Sequence, residues 1–339
     1  MKMWTRVVLF CGVVLGLTVG APLAAEKVSA TMSFVFHGGH TPFFAGLGTG
    51  QYKEQGLDVT IQRGYGSNAT ISTIFAGKSQ FGEADAGTLV AARSRDVKVK
   101  EVGMIYHNSQ AVVITLKETG IRTPADFKGK RVGVVQASAT RTLFPALLQR
   151  NNLKDSDVIY VPMTAAALPA SQLTGQIDMH LSFAVTAVPL KMKAKAMNRE
   201  VVEIPYSDLG LPLYSNGIVA SDALIEKSPD LVRRFVKATI EAMVWAVDNP
   251  SAGADHFMKY NTSLSREAVL EQWKTTIRFV VTPESLETGL GFMKEDKMAF
   301  TRDIVLEYMK KGLGPSKVEA RDLYTNQFIP GKLVPKSAR

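Results

Sequence analysis

Two histidines, His37 and His40, flank a Gly-Gly pair directly after an apolar run near the start of the chain. Imidazole rings at this spacing can ligate a metal ion, but the sequence offers no cysteine and no clear third ligand close by. The two glycines let the backbone approach a small molecule closely, and either imidazole can donate a hydrogen bond to it. The segment therefore favours polar contacts with a bound molecule, and we predict no metal site.

Phe43 and Phe44 follow at the beginning of a predicted helix. Because adjacent helical residues point in different directions, one of the two rings is expected to pack in the core. The other ring is a candidate for stacking on a planar ligand.

Two further segments combine small and polar residues just before predicted helices. They contain Gly66, Ser67 and Asn68 in the first case and Gln136, Ser138 and Thr140 in the second. Backbone N–H groups at a helix N-terminus stabilise carboxylate, sulfonate or pyrimidine oxygens, although these residue types are also ordinary helix caps. The first segment lacks the Gly-Lys-Ser/Thr of a phosphate-binding loop, so nucleotide hydrolysis is not supported.

Asp85 stands between a short predicted strand and the next helix, where it can cap the helix or accept a hydrogen bond from a ligand. A buried carboxylate that faces the site disfavours nitrate or sulfonate and favours a ring with N–H donors. We therefore predict a heteroaromatic, pyrimidine-like solute. Lesser candidates for ligand contacts, each of which could equally belong to the core, are Tyr65, Tyr106, His107, Phe183 and Tyr214.

The elements that must position these residues follow an α/β pattern. Short β-rich runs alternate with helix-like segments, which is typical of a mostly parallel sheet flanked by helices. The pattern restarts near Lys130, after a polar stretch at residues 107–110 that we predict to be a hinge, and becomes almost entirely helical in the C-terminal part. We predict two lobes, the first formed by residues 26–107 together with 215–339 and the second by residues 108–214.

The first 25 residues have the order of a secretory signal: Lys2 and Arg6, an apolar run over residues 7–20, and small residues up to Ala25. We predict cleavage near Ala25 and export to the periplasm. The alternative is an uncleaved anchor, although the run is shorter than the ~20 residues that a membrane-spanning helix requires. The only cysteine, Cys11, lies in this segment, so the exported chain depends on its hydrophobic core for stability.

The net charge of +9 at pH 7 is spread along the chain. Basic residues that bind nucleic acid are normally gathered in one stripe or patch. We therefore predict no nucleic-acid partner.

Four segments, in this order, resemble the solute-binding proteins of the nitrate, alkanesulfonate and thiamine-pyrimidine (NMT1-like) type. The first two are GQYKEQGLDV at residues 50–59 and AGKSQFGEAD at residues 76–85. The others are IRTPADFKGKRVGV at residues 121–134 and QLTGQIDM at residues 172–179. The resemblance runs from the first predicted strand to about residue 250.

This resemblance implies a periplasmic solute-binding protein of an ABC importer, with a type II-like fold in which two lobes close on a small solute. It implies a membrane-embedded permease and its ATPase as partners, and we expect a monomer that needs no cofactor. The eukaryotic branch of the family includes a pyrimidine synthase, whose chemistry is associated with a cysteine-rich motif that this chain lacks. No Ser-His-Asp order or nucleotide loop stands out either, so we predict no enzymatic activity. An enzyme of pyrimidine metabolism and a ligand sensor of the same fold are the alternatives.

Overall fold

Ten β-strands form two five-stranded sheets in the computed structural model, which describes residues 25–136, 138–310 and 313–338. In chain order the strands are β1 (Glu26–Thr31), β2 (Leu57–Gln62), β3 (Phe81–Asp85), β4 (Val99–Met104), β5 (Ala111–Leu116), β6 (Arg131–Val134), β7 (Ile159–Pro162), β8 (Met179–Phe183), β9 (Val201–Pro205) and β10 (Asn216–Ser221). The predicted signal segment lies outside the described residues, apart from Ala25.

The two sheets share one pattern of strand directions. The first has the order β2-β1-β3-β10-β4 and the second the order β7-β6-β8-β5-β9. In the first sheet β10 runs antiparallel to both of its neighbours, and in the second sheet β5 does the same. The remaining four strands of each sheet share one direction, which confirms the prediction of two mostly parallel sheets.

Burial along the strands follows their place in the sheet. β5 lies between two strands, and all six residues of its sequence AVVITL are buried. β2 lies at an edge, where Leu57 and Val59 are buried while Asp58 and Thr60 are exposed. The apolar pattern of the sequence predicts strands over residues 57–62 and 111–116, and both strands have these ends in the structure. β9, a short strand at the edge of the second sheet, was not predicted.

Helices flank both sheets. They are α1 (Thr41–Thr49), α2 (Gln51–Glu54), α3 (Ser67–Phe75), α4 (Ala86–Arg93), α5 (Ala139–Arg150), α6 (Leu168–Leu173), α7 (Val188–Ala196), α8 (Asp222–Lys227), α9 (Pro229–Asp248), α10 (Pro250–Tyr260), α11 (Arg266–Val280), α12 (Pro283–Thr288) and α13 (Glu295–Tyr308). The single helix predicted over residues 41–55 is two helices, because Gly50 adopts a φ of +91° between them.

The chain passes between the sheets over residues 105–110 and again over residues 206–215. We use the name lobe 1 for residues 26–107 and 215–338, and lobe 2 for residues 108–214. The C-terminal helices contact both lobes, since α13 packs against α4 and α5, and α11 packs against α7. On the α11 side, Arg278 and Lys191 both pair with the buried carboxylate of Glu203, at 2.5 and 3.0 Å.

Buried aromatic side chains anchor the helices in the cores. Phe81 of β3 stacks on Phe235 of α9 with ring centroids 4.0 Å apart. Trp273 of α11 is fully buried, and its Nε1–H donates to the carbonyl of Ala246 at 2.9 Å. Phe144 of α5 belongs to a second core, which is formed mainly by lobe 2 and completed by Ile304 of α13. Within the described residues we find no helix of the length and apolar character needed to span a membrane.

Candidate functional site

A cleft of about 560 Å³ lies between lobe 1 and lobe 2. Its walls are the loops that follow β1, β2 and β3 in lobe 1 and those that follow β6 and β8 in lobe 2, together with one side of α13. Ligand sites of α/β folds lie at the carboxyl ends of the strands, as this cleft does. Its volume falls in the range of small-molecule sites.

Nine of the residues singled out from the sequence lie on the cleft wall. They are His37, Tyr65, Gly66, Ser67, Asn68, Asp85, Thr140, Phe183 and Tyr214. Most follow the carboxyl end of a predicted strand, and the parallel arrangement of those strands brings their loops together. Tyr214 reaches the cleft from the return crossing between the sheets.

Five candidates lie in the interior instead. His40, Phe43, Phe44, Tyr106 and His107 are each at most 2% exposed, and none lines the cleft. The structure does not support the expectation that Phe43 or Phe44 faces the ligand, because α1 is packed against both α9 and α10. The Phe44 ring lies on Phe257 of α10 with centroids 4.7 Å apart. Long-range helix packing of this kind is not visible in a local aromatic pattern.

Gln136 and Ser138 also lie off the cleft wall. Ser138 caps α5, since its hydroxyl accepts a hydrogen bond from the backbone N–H of Arg141 at 3.2 Å. Gln136 is exposed to solvent. Ser138 therefore acts as the cap of α5, and Thr140, two residues later, is the one that reaches the cleft.

Several cleft residues were not singled out from the sequence. Ser33 and Phe34 fall within the first strand that the apolar pattern predicts, residues 28–36, but β1 ends at Thr31 and the following residues turn into the cleft. Gln110 belongs to the predicted hinge, and Asn216 begins β10. α13 adds further residues more than 80 positions later than β10. The one sequence signal for these cleft residues was the apolar Phe34 shortly before Gly38 and Gly39, a pattern that indicates a loop close to a ligand.

His37 is a neutral hydrogen-bond donor on the cleft wall. Its Nδ1 accepts from the backbone N–H of Gly39 at 3.0 Å, so the neutral ring carries its proton on Nε2. Burial, with a smaller contribution from the neighbouring His40, lowers the pKa of His37 to about 3. The ring therefore stays uncharged at neutral pH and can donate through Nε2–H.

Below the cleft floor lies a buried carboxylate, Glu83, which is 1% exposed. It accepts hydrogen bonds from the backbone N–H of Ser33 at 3.0 Å and from the amide of Asn216 at 2.6 Å, and His40 Nε2 lies 3.5 Å away. Burial by itself raises the pKa of Glu83, but the contacts with His40 and Ser33 outweigh it and hold the pKa at about 2. Glu83 is therefore an anion directly behind two residues of the cleft wall.

Asp85 uses its two carboxylate oxygens differently. Oδ1 caps α4 by accepting from the backbone N–H of Thr88 at 3.0 Å. Oδ2 lies 3.4 Å from the hydroxyl of Ser215 at the cleft wall. Burial raises the pKa of Asp85, and the hydrogen bonds from Thr88 oppose this rise. The capping role is thus present, and Oδ2 is available as an acceptor for a bound molecule.

The charge balance of the cleft is acidic. Among the described residues that line it, Asp85 is the one with a formal charge, and no lysine or arginine is present. Glu83 adds a second negative charge behind the wall. Helix N-termini at Ser67 and Ala139 oppose this field through partial charges. Two cations also lie behind wall residues: Arg63 on the Tyr65 ring, and Lys297, paired with Glu284, on the Tyr214 ring. This wall is better suited to a neutral or cationic molecule with N–H donors than to a free sulfonate.

Aromatic rings are exposed on both sides of the cleft. Phe34 and Tyr65 in lobe 1 are 55% and 77% exposed, and Phe183 in lobe 2 is 37% exposed. Large aromatic side chains normally bury most of their surface, so exposed rings around a cleft mark a binding surface for apolar or planar molecules. The arrangement allows contact with a planar ring from both lobes.

Comparison with known proteins places these features in a family. A family model described as "NMT1/THI5 like" matches residues 37–253. The riboflavin-binding protein RibY of Chloroflexus aurantiacus is 22% identical over 317 residues, 90% of this chain and 87% of that protein. The formylaminopyrimidine-binding protein of Halalkalibacterium halodurans is 23% identical and covers 67% of this chain and 68% of its own length.

One relative is named as an enzyme. The 4-amino-5-hydroxymethyl-2-methylpyrimidine phosphate synthase of Schizosaccharomyces pombe is 24% identical over 69% of this chain and 70% of its own length. Among solved structures, the periplasmic aliphatic sulphonate binding protein SsuA of Escherichia coli superposes with a TM-score of 0.68 at 15% identity, covering 91% of this chain and 94% of that chain. This similarity confirms the two-lobed fold.

Proposed function

Because the chain belongs to the NMT1/THI5-like family, we propose that it is a solute-binding protein of an ABC importer. Its solute is a planar heteroaromatic molecule with N–H donors, held between lobe 1 and lobe 2. The observation that carries the solute class is the composition of the cleft wall, which combines exposed aromatic rings with carboxylates and contains no described basic side chain.

The hydrogen-bonding groups of the wall support a ring that has both donors and acceptors. Asp85 Oδ2 offers an acceptor, and His37 Nε2–H offers a donor. The first turn of α3, at Ser67 and Asn68, adds backbone N–H groups without a side-chain cap. Pyrimidines and fused rings that contain a pyrimidine carry such mixed edges. Two relatives named for binding riboflavin and formylaminopyrimidine agree with this class.

As a binding protein of an importer, the chain would act in the periplasm together with membrane partners. The predicted signal segment would export the chain and leave a mature protein that begins near residue 26. In the periplasm the receptor would close on its solute and deliver it to a permease driven by an ATPase. Closure requires that the ligand contact both lobes, which the loops after β3 and β8 allow.

The first expected result is a co-purifying or titrated solute of the proposed class. Native mass spectrometry of protein isolated from the periplasm should show a bound aromatic molecule that is released on denaturation. Calorimetry should show that riboflavin or an aminopyrimidine binds and that taurine does not. Preferential binding of taurine would overturn the heteroaromatic class, whereas turnover of the bound molecule by pure protein would favour an enzyme.

A second expected result concerns the aromatic wall. Phe183→Ala should weaken binding of the ligand found above by about 0.5–1.5 kcal/mol, the usual contribution of a stacked ring pair. Phe75→Ala is the matched control, because Phe75 is 52% exposed on α3 and does not line the cleft. If both variants bind as the wild type does, the ligand is not stacked on lobe 2.

A further inference from the structure

Gln110 is a buried polar side chain of the cleft whose role the sequence pattern did not reveal. It lies in the first crossing between the sheets and lines the cleft, yet it is only 7% exposed. Its Oε1 has no hydrogen-bond partner among the described residues. Buried side-chain amides nearly always find partners, so an unpaired oxygen beside a cleft calls for a partner from outside the chain.

The orientation of the amide follows from its neighbour Tyr106. The Tyr106 hydroxyl donates its single proton to the carbonyl of Gly39 at 2.7 Å. A hydrogen bond between Tyr106 and the Gln110 amide can then run only from the amide N–H to the phenol oxygen, which leaves Oε1 as the free acceptor. In agreement, burial raises the pKa of the Tyr106 phenol, and a hydrogen bond from Gln110 opposes that rise, as a donated bond does.

The backbone around Gln110 is held by both crossings. Ser109 N–H donates to the carbonyl of Leu213 at 2.8 Å, which ties the first crossing to the return crossing. The Gln110 carbonyl accepts from the N–H of Ala184 in lobe 2 at 2.9 Å. The backbone that carries this acceptor is thus fixed at the junction of the two lobes, next to Ala111, which pairs with Phe183 across the sheet.

We propose that Gln110 determines specificity in the cleft by accepting a hydrogen bond from an N–H of the bound ring. This inference rests on the proposed function and makes it more specific. A solute that presents a sulfonate or carboxylate oxygen to Oε1 would face an oxygen that cannot donate a hydrogen bond, whereas a ring N–H would satisfy it. Gln110 and Asp85 would then select for donors at two places on the ring.

The first test needs no ligand. Gln110→Met removes the amide while keeping the length of the side chain, and Gln172→Met is the matched control. Gln172 is also buried, but its nitrogen donates to the carbonyl of Ile114 at 3.0 Å and its oxygen lies 2.6 Å from His180 Nδ1. We expect Gln172→Met, which loses two hydrogen bonds, to lower the melting temperature of the ligand-free protein clearly more than Gln110→Met, which also removes a buried unpaired oxygen. An equal drop in both variants would show that Oε1 has a partner within the chain and would overturn the proposal.

The second test uses riboflavin and 3-methylriboflavin as probes. The oxidised flavin ring has one N–H, at N3, and methylation removes it. We expect the wild type to bind riboflavin at least tenfold more tightly than the methylated probe and Gln110→Met to bind both alike. Equal affinities in the wild type would overturn the role of Gln110. If the wild type binds neither probe, the flavin class is excluded. Native mass spectrometry then compares the fraction of co-purified solute that the wild type and Gln110→Met retain. Unchanged retention in Gln110→Met would overturn the proposal.

Discussion

Glu101→Gln is expected to stabilise the protein increasingly as the pH rises. Glu101 lies on β4, is fully buried, and has no hydrogen-bond partner for either carboxylate oxygen among the described residues. Its side chain packs directly against Gly217 of β10. A Cβ atom on residue 217 would lie only 2.2 Å from Glu101 Oε2, so the carboxylate fills the space that the glycine leaves. Burial raises the pKa of Glu101 well above its ordinary value of 4.5, and the negative charges of Asp85 and Glu83 raise it further.

The sign of the effect follows from proton linkage. The unfolded chain loses the Glu101 proton near the ordinary pKa, whereas the folded chain keeps it to higher pH. Between these two pKa values the free energy of unfolding therefore falls by up to about 1.4 kcal/mol per pH unit. Glutamine does not titrate, so the advantage of Glu101→Gln should grow with pH over this interval and disappear below the ordinary pKa. Urea unfolding at a series of pH values measures it.

Glu83→Gln provides the opposite control within the same sheet. The pKa of Glu83 is held at about 2, because the contact with His40 and the hydrogen bond from Ser33 outweigh the effect of burial. Its contribution to stability is present above the ordinary glutamate pKa and is lost as the pH falls towards 2. The free energy of unfolding of Glu83→Gln should be lower than that of the wild type by about 3 kcal/mol at pH 7 and equal to it in strong acid.

A difference in the free energy of unfolding between Glu101→Gln and the wild type that does not vary with pH would mean that Glu101 ionises normally.

Asp85→Asn is expected to weaken binding of the heteroaromatic solute by about 1.5–3 kcal/mol, the range for a hydrogen bond to a charged group. Asparagine keeps an oxygen that can cap α4 at the Thr88 N–H, so the fold should persist. Alanine would confuse the two effects, since it also removes the cap. Calorimetry with the solute identified by mass spectrometry gives the affinity, and thermal unfolding gives the stability.

Asp126→Asn is the matched control for that experiment. Asp126 also accepts from backbone N–H groups at the beginning of a helical turn, at Thr123 and Arg122, but it does not line the cleft. This variant should bind as the wild type does. Unchanged affinity in a folded Asp85→Asn protein would reduce Asp85 to a helix cap and remove its part of the argument for a ring with N–H donors.

Local sequence patterns determined most of the secondary structure and the general position of the cleft. Strands with alternating or continuous apolar residues, such as β2 and β5, were predicted with their observed ends because burial on each face sets the pattern. Residues that follow predicted strands, such as Asn68 and Asp85, were predicted to contact the same ligand, and the structure places both on the cleft wall. Parallel strands bring their carboxyl ends to one edge, so chain order is enough to group them.

Tertiary packing alone decided which side chains turn towards the cleft. The sequence cannot tell that α1 is enclosed by α9 and α10, which buries Phe43 and Phe44, or that α13 returns from the C-terminal part with Thr301 to complete the wall. The unpaired Oε1 of Gln110 depends on where the Tyr106 hydroxyl sends its proton, to a glycine 67 positions earlier in the chain. Contacts over such separations depend on how the lobes and helices pack, and no local pattern of residues encodes that arrangement.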